Sequence, residues 1–153
     1  MPEVLTYSAP PDLARFTQRA VAVWNDVMKD LIILQPQISG GWGNIRVMWS
    51  PDVRTAKHPT RVAECQRMHT DHWQIRLQST LRWRKDRFWD RLLGRGEDTF
   101  TALVHELGHV FALPHSADPA DVMHPEIGGT GKLTTAEKTA YRSFFLQHIA
   151  SCH

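Results

Sequence analysis

The sequence predicts an α+β fold, and three observations carry that expectation. A long helical period runs through residues 11–33. Two short alternating runs follow at 45–49 and 73–77. The C-terminal half then returns to helical patterning, ending in a segment opened by Thr134-Thr135-Ala136-Glu137. Leu5–Tyr7 suits a short first strand. Pro10-Pro11-Asp12 puts proline and an acid where a helix begins. Leu13, Phe16, Ala20, Val23, Trp24, Val27 and Leu31 recur at steps of three and four, so a helix over about 11–33 should bury that stripe. Gln35-Pro36 ends it, and Gly40-Gly41-Trp42-Gly43-Asn44 is a loop. Ile45, Val47 and Trp49 alternate with Arg46 and Met48 and read as a strand. Val62–Met68 is a weaker one, and Trp73, Ile75 and Leu77 mark another.

The middle of the chain offers two readings at each of two places. His69-Thr70-Asp71-His72 is either a metal-binding group or a polar turn, and the turn is the simpler reading. Arg82–Leu93 interleaves Arg with Trp and Phe, as a nucleic-acid surface would. However, Phe88 and Leu92, and Trp89 and Leu93, stand four apart, which suits a short helix packed by its aromatics. Nucleic acid is therefore not expected as a partner. Thr134 and Glu137 form a capping box for a last helix over about 135–149, with Ala140, Phe144, Leu146 and Ile149 as its docking stripe.

Composition bounds the rest. At 153 residues the chain suits one domain, 1–153, with a genuine core. A hydrophobic content of 42% and a net charge of +2 fit an ordinary globular protein and single out no charged partner. No run of about 18 apolar residues occurs, so no membrane span is expected. A monomer is expected. Cys65 and Cys152 lack any C-x-x-C spacing; free thiols are favoured over a disulfide, and a zinc–thiolate site is not expected.

The chemistry is concentrated in His105-Glu106-Leu107-Gly108-His109-Val110-Phe111-Ala112-Leu113-Pro114-His115. On a helix capped by Asp98, His105 and His109 lie one turn apart on one face. Two imidazoles so placed can bind one zinc ion, with Glu106 beside them as a base rather than a ligand. Pro114 cannot continue the helix, so the chain turns and can bring His115 back as a third ligand. Three protein ligands leave a fourth position open, which distinguishes a catalytic zinc from a structural one. The chemistry implied is metal-assisted hydrolysis of a peptide bond, with Glu106 taking the proton of a zinc-activated water.

The run resembles the metzincin signature, H-E-x-x-H-x-x-G-x-x-H followed by a Met-turn. It is most similar to the matrixins, or matrix metalloproteinases. His115-Ser116, Asp118-Pro119 and Val122-Met123-His124-Pro125 match the matrixin run at matrixin spacing, and Leu5-Thr6-Tyr7 resembles the start of a matrixin catalytic domain. The resemblance implies a zincin-like fold: a twisted, mostly antiparallel sheet, a long first helix, the zinc-site helix, the Met-turn and a C-terminal helix. It implies Met123 as a hydrophobic floor beneath the zinc, not a ligand. Pro125 and Ile127 would form the wall of the substrate pocket, Ile127 replacing the usual Tyr. It implies an edge strand above the zinc that pairs with an extended peptide, placed at 73–80, where the residues alone read equally well as an ordinary amphipathic edge. The expected cofactor is one catalytic zinc; a structural zinc or calcium has no support in the surrounding residues. The expected partner is a protein or peptide substrate. The family is generally secreted, but Met1-Pro2-Glu3 lacks the layout of a signal peptide, so the compartment stays open. One departure stands out: the signature Gly is Ala112, and Ala in the left-handed region costs about 1 kcal/mol. The competing class is a non-catalytic zinc-containing domain that binds a peptide or protein in the same cleft.

Overall fold

The computed structural model describes residues 1–84, 97–126 and 131–151. In chain order the elements are β1 (Glu3–Ser8), α1 (Pro11–Met28), β2 (Ile32–Pro36), β3 (Ile45–Ser50), β4 (Ala63–His69), β5 (His72–Gln78), β6 (Trp83–Arg84), β7 (Glu97–Asp98), α2 (Thr99–Val110) and α3 (Thr135–Ser151). The α+β class and the three long helices agree with the sequence reading. The sheet does not run as expected. Its order is β2-β1-β3-β5-β4, and β1–β2, β1–β3 and β3–β5 are parallel; only β4–β5 is antiparallel. Apolar alternation reports which face is buried but not which way the neighbouring strand runs, so the expected antiparallel majority had no basis in the residues.

The connections explain the directions. α1 carries the chain back so that β2 can lie parallel to β1, as a crossover must. β3 is staggered: Tyr7 is level with both Pro36 and Ile45. The loop 37–44 therefore passes from the end of β2 to the start of β3 without returning along the sheet. β4 runs back along the outside, and the 69–72 turn sends β5 inward beside β3. This places β4, not 73–80, at an edge of the sheet among the described residues, with β2 at the other. The expected edge strand is thus corrected by one position.

α1 ends at Met28, short of the predicted 33, and β2 was not foreseen. The apolar run Leu31–Leu34 continues the helical period numerically, but Lys29 adopts φ 45° and breaks it. Asn25 then clamps the emerging strand. Its Oδ1 accepts from the Leu34 amide at 2.8 Å and its Nδ2 donates to the Leu34 carbonyl at 2.9 Å. The helix's last carbonyls, Val27 and Met28, accept from the Arg142 guanidinium of α3.

Trp24 joins the layers. It is fully buried, its Nε1 donates to the Val104 carbonyl of α2 at 2.8 Å, and its ring lies 5.4 Å from Phe111 and 5.8 Å from Tyr141. The capping box of α3 forms as expected, with Thr134 and Glu137 bonding reciprocally. Its docking stripe is a different one: Tyr141 and Phe145 are buried, while Phe144, Leu146 and Ile149 remain at least one-third exposed. Tyr141 supplies ring contacts to Trp24, and Phe145 to Phe111, that the neighbouring row would not reach. Most of the Arg/Trp segment at 82–93 lies outside the described residues. Trp83 is buried, donates to the Gln78 carbonyl and packs against Trp49. No helix among the described residues is long and apolar enough to cross a membrane.

Candidate metal centre

The helix that carries the motif is fixed at both ends. At its start the Asp98 carboxylate accepts from the Thr101 amide at 3.0 Å, the expected N-cap. At its end the Ala112 amide donates to the His109 carbonyl and the Leu113 amide to the Gly108 carbonyl. This is a Schellman exit, and Ala112 occupies its left-handed position with φ 61°. The strain anticipated from the missing glycine is present and tolerated. Pro114 follows directly and turns the chain toward His115.

The exit places a useful carbonyl. His109 Nδ1 lies 2.9 Å from the Leu113 oxygen, and His105 Nδ1 lies 2.7 Å from the Val122 oxygen. A protonated Nδ1 donating to each carbonyl leaves each Nε2 with a free lone pair. Those two Nε2 atoms are 3.2 Å apart. His115 completes the group, its ring 5.3 Å from His105 and 4.9 Å from His109, and one ring nitrogen from each of the three lies within 4.8 Å of the others. All-imidazole donors, two of them oriented by backbone carbonyls, suit a zinc ion with an open position. Burial holds His105 down to about 4 and lowers His109 as well, each opposed by its carbonyl partner and reinforced by His115. Both imidazoles are therefore neutral, the form a metal needs. His69 and His72 face each other across their turn with ring centroids 6.1 Å apart, and among the described residues only the three helix-and-turn histidines gather at metal-binding distances.

Met123 is buried against α2 at Gly108. A Cβ added to Gly108 would meet its Sδ at 2.5 Å and the Trp24 ring at 3.0 Å. The Met-turn is tied down from several sides. The Met123 carbonyl accepts from the Ser116 amide, its amide donates to Asp121 Oδ1, and the same carboxylate accepts from the Tyr141 hydroxyl. Tyr141 does not stand out in the sequence. Tyr141–Phe145 stands at the same spacing as the stripe chosen instead, so the pattern was available but did not identify its own face.

Glu106 is 4% exposed. Burial pushes its carboxyl up to about 8, opposed by the Arg61 guanidinium and by the Cys65 amide, which donates to it from β4. Cys65 itself is a free thiol, and its burial pushes it well above the usual range. Cys152 and Ile127 lie outside the described residues.

Two clefts are lined by the three histidines, and β4 borders both. One, of about 590 Å³, is lined by His105, Glu106, His115, Pro125, Ala63 and Arg61. The other, of about 500 Å³, is lined by His109, Ala112, Cys65, Arg67, Trp73 and Phe145. The wall of the first cleft is built by residues the sequence did not flag. The Gln78 side chain accepts from the Arg54 amide and donates to the Pro51 carbonyl, pinning the loop before β4. Glu64 takes Arg61 at 2.8 Å on one oxygen and Arg76 on the other. These partners are 3 to 27 residues apart and follow no period, so no pattern announces them.

No curated protein matches the chain. The family model described as Matrixin matches residues 6–142, which takes in α1, the sheet, the three histidines and the Met-turn. The similarity read from His105–His115 and Met123 therefore extends over most of the molecule, and the chain belongs to the matrixin family of metalloproteases.

Proposed function

We propose that residues 1–153 form a zinc endopeptidase domain in which His105, His109 and His115 hold the ion and Glu106 moves the proton. The observation that carries this reading is the convergence of three imidazoles, two with their outer nitrogens already engaged by Val122 and Leu113, beside a buried carboxyl. When bound, zinc would supply Lewis acidity at the scissile carbonyl and lower the pKa of the attacking water. Glu106 takes that water's proton and later gives it to the leaving amine. The Cys65 amide fixes the carboxyl's orientation toward the cleft. Met123 supports the imidazoles from below and Pro125 walls the cleft.

The outer edge of β4 is where an extended peptide would add, gaining main-chain hydrogen bonds. Because Glu106 must reach the leaving nitrogen, the cleft it lines takes the leaving-group side of the substrate, and the cleft lined by His109 takes the acyl side. The departure at Ala112 lends no support to a non-catalytic reading, since the exit it forms still delivers the Leu113 carbonyl to His109.

The test is cleavage of a quenched fluorescent peptide pool by zinc-loaded wild type and Glu106→Ala. Wild type should cleave, a chelator should stop it, and the variant should be slower by about 100- to 10,000-fold. Equal cleavage by both would remove Glu106 from its role. Stoichiometric zinc with no cleavage by either would favour a binding domain.

A further inference from the structure

We infer that the cleft beside Glu106 selects a substrate bearing a carboxylate on the leaving-group side of the scissile bond, and that Arg61 is the residue that reads it. The inference rests on the peptidase reading above, because that reading decides which cleft receives the leaving group.

Three observations place Arg61 for this task. It lines the same cleft as Glu106 and His115, and its side chain is one-third exposed. It is held in position: Glu64 Oε2 accepts from its Nη1 at 2.8 Å, and its backbone is fixed by bonds from Arg54 Nε and to the His58 carbonyl. Its charge is not cancelled by that anchor. Glu64 is a single carboxylate shared between two guanidiniums, with Arg76 on its other oxygen, so the three side chains together carry one positive charge. Lys57 and His58 border the same wall. Glu126 borders the cleft from the Met-turn side, which sets a limit: a carboxylate is favoured along the β4 wall and disfavoured across from it.

An anchored guanidinium with donors left over is suited to a carboxylate, which it can take through two parallel hydrogen bonds. The carboxylate could be an Asp or Glu side chain or the C-terminus of a short peptide. The chemistry is the same, and the two differ in what they would make of the enzyme: a peptidase that cuts before acidic residues, or one that trims chain ends.

The experiment is a set of quenched peptides with a constant neutral acyl side. The first three leaving-group positions are varied in turn through Glu, Gln and Lys, each with a free and an amidated C-terminus. The same peptides are titrated onto zinc-loaded Glu106→Gln, which reads binding without turnover. Wild type should prefer Glu to Gln at one position by about 10-fold in kcat/KM. The preference should shrink as salt rises, fall to near unity in Arg61→Met and survive in part in Arg61→Lys. Preference in the amidated series identifies a side chain. Preference confined to free C-termini identifies the chain end. Cleavage with no Glu preference in wild type overturns the inference and leaves the peptidase reading intact, as does a preference unchanged by Arg61→Met. No cleavage anywhere, with Glu peptides still binding about 10-fold tighter in an Arg61-dependent way, sinks the peptidase reading and keeps the carboxylate site. Neither cleavage nor selective binding overturns both.

Discussion

The two sides of the candidate centre are built on different principles. On the α2 side lies the floor: Met123 against Gly108, the ring of Trp24, and the Asp121 carboxylate held between Tyr141 and the Met123 amide. Across Glu106 lies the wall: β4 and the loop before it, joined by Gln78 and by the Arg61–Glu64–Arg76 group. The floor is mostly apolar, and at Gly108 it is so close-packed that one added methyl would collide. The wall is polar: Gln78 is buried and hydrogen-bonded, while Arg61, Glu64 and Arg76 are partly exposed. The difference suggests a division: the floor sets whether a metal is held, and the wall sets what is cut. Substitutions in the floor should cost stability and metal, whereas Arg61→Met should change stability by less than about 1 kcal/mol, because Arg61 is partly exposed and Glu64 keeps Arg76 as its partner.

The largest effect should come from His109→Ala. It removes one nitrogen of the three and releases the Leu113 carbonyl. Zinc affinity, measured by competition with a chromophoric chelator, should fall by more than about 100-fold, and the stabilisation that zinc gives to thermal unfolding should largely disappear. Retention of tight stoichiometric zinc would refute the ligand assignment. Gly108→Ala comes next. Its Cβ would meet Met123 Sδ at 2.5 Å and Trp24 Cζ2 at 3.0 Å, so the floor must shift. A loss of about 1–3 kcal/mol is expected from overpacking. Zinc affinity should fall too, because the Met-turn that moves also carries the Val122 carbonyl to His105. Lost stability with unchanged zinc affinity would show that the floor is scaffolding only, and the comparison would break.

How much of this was legible in the sequence follows the same division. The histidines could be read because helical geometry turns a spacing of four into proximity, and because Pro114 forces a turn before His115. Asp98 and the Thr134–Glu137 box could be read because caps are local. Met123 was reached only through resemblance, since nothing in its spacing to Gly108 declares a contact. The wall was not legible. Arg61, Glu64, Arg76 and Gln78 read individually as surface or strand residues, and only the β4–β5 pairing brings them together. Strand direction failed for a related reason: the crossover through α1 and the stagger at Tyr7 are properties of connections, not of the strands' own residues.

Tyr141→Phe sharpens the comparison through pH. Burial first, and then its bond to Asp121, raise the Tyr141 phenol above its ordinary value. A group whose folded-state pKa is raised contributes stability that is fully present below its unfolded pKa, near 10, and is lost as pH rises beyond it. Wild type should therefore lose stability steeply above about pH 10, and Tyr141→Phe should show a shallower fall, followed by chemical denaturation across that range. At neutral pH the variant should lose about 1–2 kcal/mol with its hydrogen bond. Tyr7, also raised by burial, contributes a smaller slope that both proteins share.

The smallest effect is a gain. Ala112 holds φ 61°, where an L side chain is strained by about 1–2 kcal/mol and glycine is not. Glycine also brings a more flexible unfolded chain, which returns about 0.4–1 kcal/mol. Ala112→Gly should therefore stabilise by roughly 0.5–1 kcal/mol, with zinc affinity unchanged. The second half of that statement is the informative one. The Schellman bonds to Gly108 and His109 and the break at Pro114 already define where the Leu113 carbonyl points, so relieving the strain should leave His109 where it is. A glycine variant that bound zinc more tightly would mean that the strain at Ala112 is transmitted to the centre. The floor would then be a compromise that the chain holds under tension rather than a fixed base.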